Sequence, residues 1–390
     1  MIGLIRRLTC IAVFALAFAA PVHAAPPSYE TNAEQAILID FDTQAVLFEK
    51  NADTPMFPAS MTKIMTAILV FDELRAGRLQ LDSTFRVSET AWRKGGSKMF
   101  VKLNDEVTVE DLLRGIIVQS GNDASIVVAE GILGTEEGFA ARMTERAKEI
   151  GLQNTVFRNA TGWPDPDHVT TARDMARLAM FLIEEYPDFY GYYAEKEFTY
   201  GTSPDGKPIT QGNRNPLLYR NVGADGLKTG HTEASGYGLT ASAEREDRRL
   251  VMVVNGLDSV RARSQESERL INWGFRVFDN YRLFKAGEVV EQAPVWLGKS
   301  ETVPLVIEQE LTVTMPKASR RNMEVKVIYE SPIPAPVADG AQVARLEVSA
   351  PDTETTSRPL KTAASVEQLN FFGRISSAIN HIIFGASSDG

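Results

Sequence analysis

The chain has 390 residues, 51 acidic and 41 basic side chains, a net charge of -10 and a single cysteine. That balance argues against a nucleic-acid partner, and one thiol excludes a scaffold held together by disulfides. The length is ample for a buried core and exceeds what one core normally serves, so more than one domain is expected.

The chain opens with Arg6 and Arg7, an apolar stretch from Ile11 to Ala20, and the small-residue exit Pro21-Val22-His23-Ala24. This reads as a secretory signal over residues 1–24, since the apolar run is short for a span and no stop-transfer pattern follows. Cleavage after Ala24 would remove Cys10 and would take the net charge from -10 to -12 through loss of the two arginines.

Ala36 to Phe41 and Ala45 to Phe48 flank Asp42-Thr43-Gln44 and predict a hairpin. Pro58-Ala59 then introduces a nearly continuous apolar run from Ile64 to Phe71, predicting a helix buried on most sides that starts at or just before Ser60. Helical patterns recur over 109–130, 136–150 and 171–185. Leu227–Thr232, Gly236–Ala243 and Arg249–Val254 predict successive antiparallel strands, and Arg263–Phe278 a closing helix. Strands at both ends of this segment with helices between them imply an α/β domain whose sheet gathers the two ends around a helical cluster, expected over residues 25–282.

Beyond it, Val289–Trp296, Thr302–Glu308, Leu311–Met315, Met323–Tyr329 and Val343–Val348 predict a small all-β domain over residues 283–362. In the last segment, 363–390, Val366, Leu369, Phe372, Ile375, Ile379, Ile382 and Ile383 recur at helical steps. An amphipathic helix follows, suited to lying on a membrane surface or to packing on protein, with too many polar positions to span a bilayer.

Three short runs carry chemistry. Ser60-Met61-Thr62-Lys63 places a hydroxyl and an amine on one helix face, the arrangement of a nucleophile with a general base. Ser120-Gly121-Asn122 supplies a second hydroxyl and an amide, and Lys228-Thr229-Gly230 a basic strand suited to a carboxylate, with Gly230 allowing close approach of a peptide. Taken singly, each run has an ordinary structural explanation: Ser60 or Asn122 as helix caps, Lys63 as a snorkelling side chain, Lys228 on a solvated edge strand. After signal removal the histidines are His168, His231 and His381, with no His-x-x-x-His or cysteine spacing, so neither metal nor cofactor is expected.

In order and with their flanks, Pro58 to Met65, Gln119 to Ala124 and Gly226 to Thr232 resemble the three motifs of the penicillin-binding serine peptidases. The resemblance is closest to the low-molecular-mass D-alanyl-D-alanine carboxypeptidases, the group containing penicillin-binding proteins 5 and 6, and covers nearly the whole chain. Asn159-Ala160-Thr161-Gly162 leading to His168 is similar to the family's omega-like loop, and Gly212-Asn213-Arg214-Asn215 to another segment beside the active site.

The resemblance implies a penicillin-binding, β-lactamase-like fold and a periplasmic enzyme on the inner membrane surface. It implies Ser60 as nucleophile, Lys63 as base and Ser120 as proton relay. Asn122, Lys228, Thr229, Gly230, His231 and Arg263 would bind substrate, and the backbone amides of Ser60 and His231 would form the oxyanion hole. Peptidoglycan peptides ending in D-Ala-D-Ala would be substrates and β-lactams covalent inhibitors. A D,D-endopeptidase shares the nucleophile, and an inert envelope protein shares the fold. A class A β-lactamase places a glutamate in its omega loop, whereas Asn159 to Thr170 contains Asp165 and Asp167 but no glutamate.

Overall fold

The strand Gln35–Asp40 is buried at every position because it lies between two apolar layers. Ile37 and Ile39 point into the helical core, while Ala36 and Leu38 point into the layer under the helix Val260–Val277. In this computed structural model, which describes residues 29–351, 353–371 and 373, that strand pairs antiparallel with Val46–Lys50 and with Arg248–Leu257. Gly236–Arg245 and then Ala224–Thr232 complete a five-stranded sheet, with Ala224–Thr232 at its edge. The expected secretory segment, residues 1–24, lies outside the described residues.

The helical cluster differs from expectation at two places that matter. Ala59–Thr62 is a 3-10 turn, and the α-helix proper is Lys63–Arg75, buried without interruption from Lys63 to Phe71. Side chains three apart eclipse in a 3-10 turn, so the tighter geometry sets Ser60 above Lys63. The single helix expected over 109–130 is two, Val109–Ile117 and Asn122–Leu133, broken where Ser120 adopts a φ of 60°. Helices Glu136–Ile150 and Ala172–Glu185 fall where the periodicity predicts them, each opened by a threonine whose hydroxyl accepts a backbone amide. A hairpin formed by Glu197–Thr202 and Pro208–Gly212 was not expected; its strands are half-exposed and weakly apolar.

The C-terminal β domain begins earlier than the sequence suggests. Phe278–Phe284, read partly as the end of a helix, is a strand paired with Leu311–Pro316. A six-stranded sheet holds the remaining strands, including Thr356–Thr362, around a core of Val303, Leu305, Leu346 and Leu360. The expected terminal helix is corrected at its start: Val366 bridges Val337 and is buried in this core, and Leu369 donates its amide to Leu297 O at 2.9 Å. Residues 363–370 are therefore an extended margin of the β domain, and the remainder of the expected helix, Phe372 and residues 374–390, lies outside the described residues. Among the described residues no helix is long and apolar enough to cross a membrane.

A buried polar knot joins the two regions. Asp40 accepts Arg248 Nε at 2.8 Å and Asn280 Nδ2 at 3.1 Å, and Asn280 Oδ1 accepts the Thr314 hydroxyl at 2.7 Å.

Candidate active site

Lys63 is the first residue of its helix and is buried, only 1% exposed. Its Nζ lies 3.0 Å from Ser60 Oγ, 2.8 Å from Asn122 Oδ1 and 2.6 Å from the Thr161 carbonyl oxygen. Burial pushes its pKa down to about 7, with the charge of Arg214 and then Lys94 acting in the same sense and Asp123 and Glu136 opposing. A neutral amine here donates two hydrogens to Asn122 and Thr161, which aims its lone pair at the serine hydroxyl. That is the geometry of a base, with a pKa matched to neutral pH.

Each partner is held by its own local structure. Asn122 opens the helix Asn122–Leu133, donates Nδ2 to the Gly95 carbonyl at 2.8 Å and donates its amide to Ser97 O at 2.7 Å. The neighbouring Asp123 is fully buried and accepts the amides of Met99, Phe100 and Val101, which fixes the loop facing the nucleophile. Gly162 has a φ of 78°, and a side chain there would meet the Ala59 carbonyl oxygen at 1.8 Å. Only glycine lets the omega-like loop press its Thr161 carbonyl onto Lys63. Ala59 itself holds a φ of 46°, so the nucleophile turn is strained on the side where this loop presses.

The edge strand forms the opposite wall. Lys228 and Thr229 are buried, and the Lys228 pKa is pushed well below its ordinary value by burial and by the charges of Lys63, Arg214 and Arg263. Arg263 is buried on its helix with no hydrogen-bond partner for Nε among the described residues, lies over the Tyr237 ring at 5.7 Å, and has its pKa lowered to about 10 by burial, against the pull of Tyr237. His231 is exposed and stacks on the Tyr237 ring, with centroids 3.9 Å apart. Because Ala224–Thr232 is the edge of the sheet, alternate backbone groups along it have no strand partner among the described residues and can receive an extended peptide.

Two expectations change in content. A side chain at Gly230 would lie 2.7 Å from the Pro58 carbonyl oxygen and 3.2 Å from Met61 Cγ, so the glycine makes room for the nucleophile turn rather than for a substrate. Ser120 is buried, yet its hydroxyl has no hydrogen-bond partner among the described residues, so no bonded relay connects it to Lys63 or Lys228. Four basic side chains, Lys63, Lys228, Arg214 and Arg263, share a cleft in an otherwise acidic chain, and the two guanidinium groups among them suit an anionic ligand. Among the described residues no cluster of side chains could hold a metal ion.

The profile of the family described as peptidase S11, D-alanyl-D-alanine carboxypeptidase, matches residues 20–259, which include the whole cleft up to Thr232. The chain belongs to the D-alanyl-D-alanine carboxypeptidase family. The C-terminal domain of penicillin-binding protein 5 matches residues 278–368, in keeping with a β domain that starts at Phe278 and includes Val366. The D-alanyl-D-alanine carboxypeptidase DacC of Escherichia coli is 38% identical over 384 residues, covering 96% of this chain and 94% of the relative. Among solved structures, the carboxypeptidase DacD of Francisella tularensis superposes with a TM-score of 0.80 at 33% identity, covering 88% of this chain and 95% of that one. Penicillin-binding protein 5 of Haemophilus influenzae gives 0.76 at 33% identity, covering 87% and 99%.

For this member of the carboxypeptidase family the resemblance marks the segments of Thr161 and Arg214 without giving either residue a role, and reasoning from sequence missed Gly95 and Ser97, which act through their backbone. Thr161 contributes a carbonyl, and Gly95 and Ser97 hold Asn122 by theirs. Arg214 acts by charge and reaches Ser97 Oγ at 2.6 Å. The doublet Gly95-Gly96 was the available signal: a side chain at Gly96 would meet Asn122 Nδ2 at 2.7 Å.

Proposed function

We propose that this carboxypeptidase releases the terminal D-alanine of peptidoglycan pentapeptides through an ester on Ser60. The buried Lys63 amine, 3.0 Å from Ser60 Oγ and lowered to about 7, is the observation that carries this reading. The substrate's terminal carboxylate enters toward Thr229, Lys228 and Arg263. Ser60 Oγ attacks the carbonyl carbon between the two D-alanines as its proton passes to Lys63 Nζ. The backbone amides of Ser60 and His231 take the developing oxyanion. The C–N bond breaks, the leaving amine takes the proton that Lys63 received from Ser60, and D-alanine departs. Water then adds to the ester carbonyl as one of its protons passes to Lys63, cleavage of the C–O bond hands that proton to Ser60, and the shortened peptide leaves as its carboxylate with water's second proton released to solvent. A β-lactam follows the same first step and remains as an ester.

Export to the periplasm and attachment to the inner membrane surface belong to the same reading. Arg6-Arg7 with the apolar Ile11–Ala20 supports export, and the apolar recurrence from Phe372 to Ile383 supports a surface anchor. Deleting residues 374–390 should free the protein from membranes without loss of hydrolysis; unchanged membrane recovery would remove the anchor.

The deciding experiment is mass spectrometry of products from a D-Ala-D-Ala pentapeptide and from a crosslinked dimer. Free D-alanine from the pentapeptide, an intact dimer and one fluorescent-penicillin adduct per chain that is lost in Ser60→Ala support the proposal. A severed dimer without free D-alanine would replace it with an endopeptidase.

A further inference from the structure

Four consecutive backbone amides of the omega-like loop, from Ala160 to Trp163, have acceptors, and one of those acceptors lies outside the loop. Asn159 Oδ1 takes the amides of Thr161, Gly162 and Trp163 at 3.2, 2.8 and 2.9 Å, so these three close on the loop itself. The Ala160 amide instead donates to Glu136 Oε1 at 3.0 Å, across 24 positions of sequence. Ala160 is fully buried, and a buried amide without an acceptor is costly.

That bond sits directly behind the base. The carbonyls of Ala160 and Thr161 face the helix Lys63–Arg75 and land on one side of its first turn: Ala160 O accepts the Thr66 hydroxyl at 2.7 Å, and Thr161 O accepts Lys63 Nζ at 2.6 Å. Thr66 is fully buried, as Lys63 nearly is, so the clamp lies out of water. Glu136 is the first residue of the helix Glu136–Ile150, where the helix dipole favours negative charge, yet its side chain is half-buried. Burial raises its pKa, against the Ala160 amide and Lys94 and with Glu137 and Glu130 acting in the same sense as burial. A carboxylate is drawn out of water here to meet the loop.

We propose that Glu136 is a positioning residue for the general base: by holding the Ala160 amide it seats the carbonyls of Ala160 and Thr161 on Thr66 and Lys63, and so aims the Lys63 lone pair at Ser60. The assignment rests on Lys63 acting as the base in the carboxypeptidase reading above. Reach, not charge, is the property it requires. Glutamine keeps the length and an oxygen acceptor, whereas aspartate keeps the charge and is one methylene short.

The test is the second-order rate constant for fluorescent-penicillin acylation at about pH 9, where Lys63 is already neutral and the charge at position 136 no longer governs its protonation. Glu136→Gln should acylate within about twofold of the native enzyme, while Glu136→Asp should be slower by about tenfold and Glu136→Ala by at least as much. An endpoint of one adduct per chain shows that each variant has folded; if Glu136→Ala does not fold, the glutamine and aspartate variants decide. Native rates in Glu136→Asp and Glu136→Ala would make the contact merely structural and overturn the assignment. A slow Glu136→Gln beside a native-like Glu136→Asp would overturn it in favour of charge. Normal acylation by a folded Lys63→Ala variant would overturn the reading of the base, and the assignment with it.

Discussion

The cleft and the C-terminal β domain are built on opposite terms. Around Ser60 the protein buries Lys63, Asp123, Lys228 and Arg263, and holds Ala59 and Ser120 at positive φ. From residue 285 onward, the buried polar side chains among the described residues are Ser319 and Thr362, and the ion pairs, such as Lys299–Glu367 and Arg345–Glu347, lie at the surface. One region gives up stability to hold amines of lowered basicity beside a hydroxyl; the other is a well-packed sheet with nothing reactive inside it. The difference predicts that mutations should separate chemistry from stability according to where they fall.

The largest effect is expected at the centre of the cleft. Lys63→Ala removes the base and should slow acylation by about 10²–10⁴-fold, read by fluorescent-penicillin labelling, with a far-UV spectrum like that of the native chain. Normal acylation by a folded Lys63→Ala variant would mean that the buried amine is structural. The reciprocal test lies in the β domain. Leu346 is fully buried in its core, so Leu346→Ala should cost about 2–5 kcal/mol in denaturant unfolding and leave the labelling rate unchanged. If labelling slowed in step with stability, the two regions would not be separable.

Gly162→Ala should blur the separation where the comparison says it must. The added methyl meets the Ala59 carbonyl oxygen at 1.8 Å, and the φ of 78° disfavours alanine. Relaxing the loop costs about 1–3 kcal/mol and withdraws the Thr161 carbonyl from Lys63. Both the melting temperature and the acylation rate should fall; a drop in stability alone would mean that the carbonyl does not set the state of the amine.

How far the sequence foretold this site follows the same division. Ser60 and Lys63 are legible because their pairing is local, three residues on one turn, and the strands from Ala224 to Leu257 are legible because turn residues such as Glu244 to Asp247 bound them and the last carries the apolar run Leu250 to Val254. Thr161 is not legible, since its contribution is a carbonyl that any residue possesses. Nor is the reason for Gly230, which depends on Pro58 arriving from 172 positions earlier in the chain. At the other end, Val366 and Leu369 fit a helical period with Phe372, yet long-range pairing with Val337 and Leu297 overrides that period. The break at Ser120 is foreshadowed only by the reading of Asn122 as a helix cap, because a positive φ at serine leaves no compositional mark.

The smallest effect is the most specific to the cleft. The active form of Lys63 is the neutral one, and its pKa is lowered to about 7, so acylation should rise with pH up to about 7 and level off above it. Each unit below that point should cost about tenfold, because the neutral fraction falls by that factor. An amine with the ordinary lysine value would instead keep gaining activity to well above pH 9. Arg214 is the leading charge pushing Lys63 down, so Arg214→Ala should let the amine regain basicity and move the rising limb to higher pH. The measurement is the second-order rate constant for penicillin acylation across pH 5–10 in both proteins. A variant whose limb stayed in place, or moved toward lower pH, would show that burial alone sets the base and that the cation cluster serves only the ligand's carboxylate.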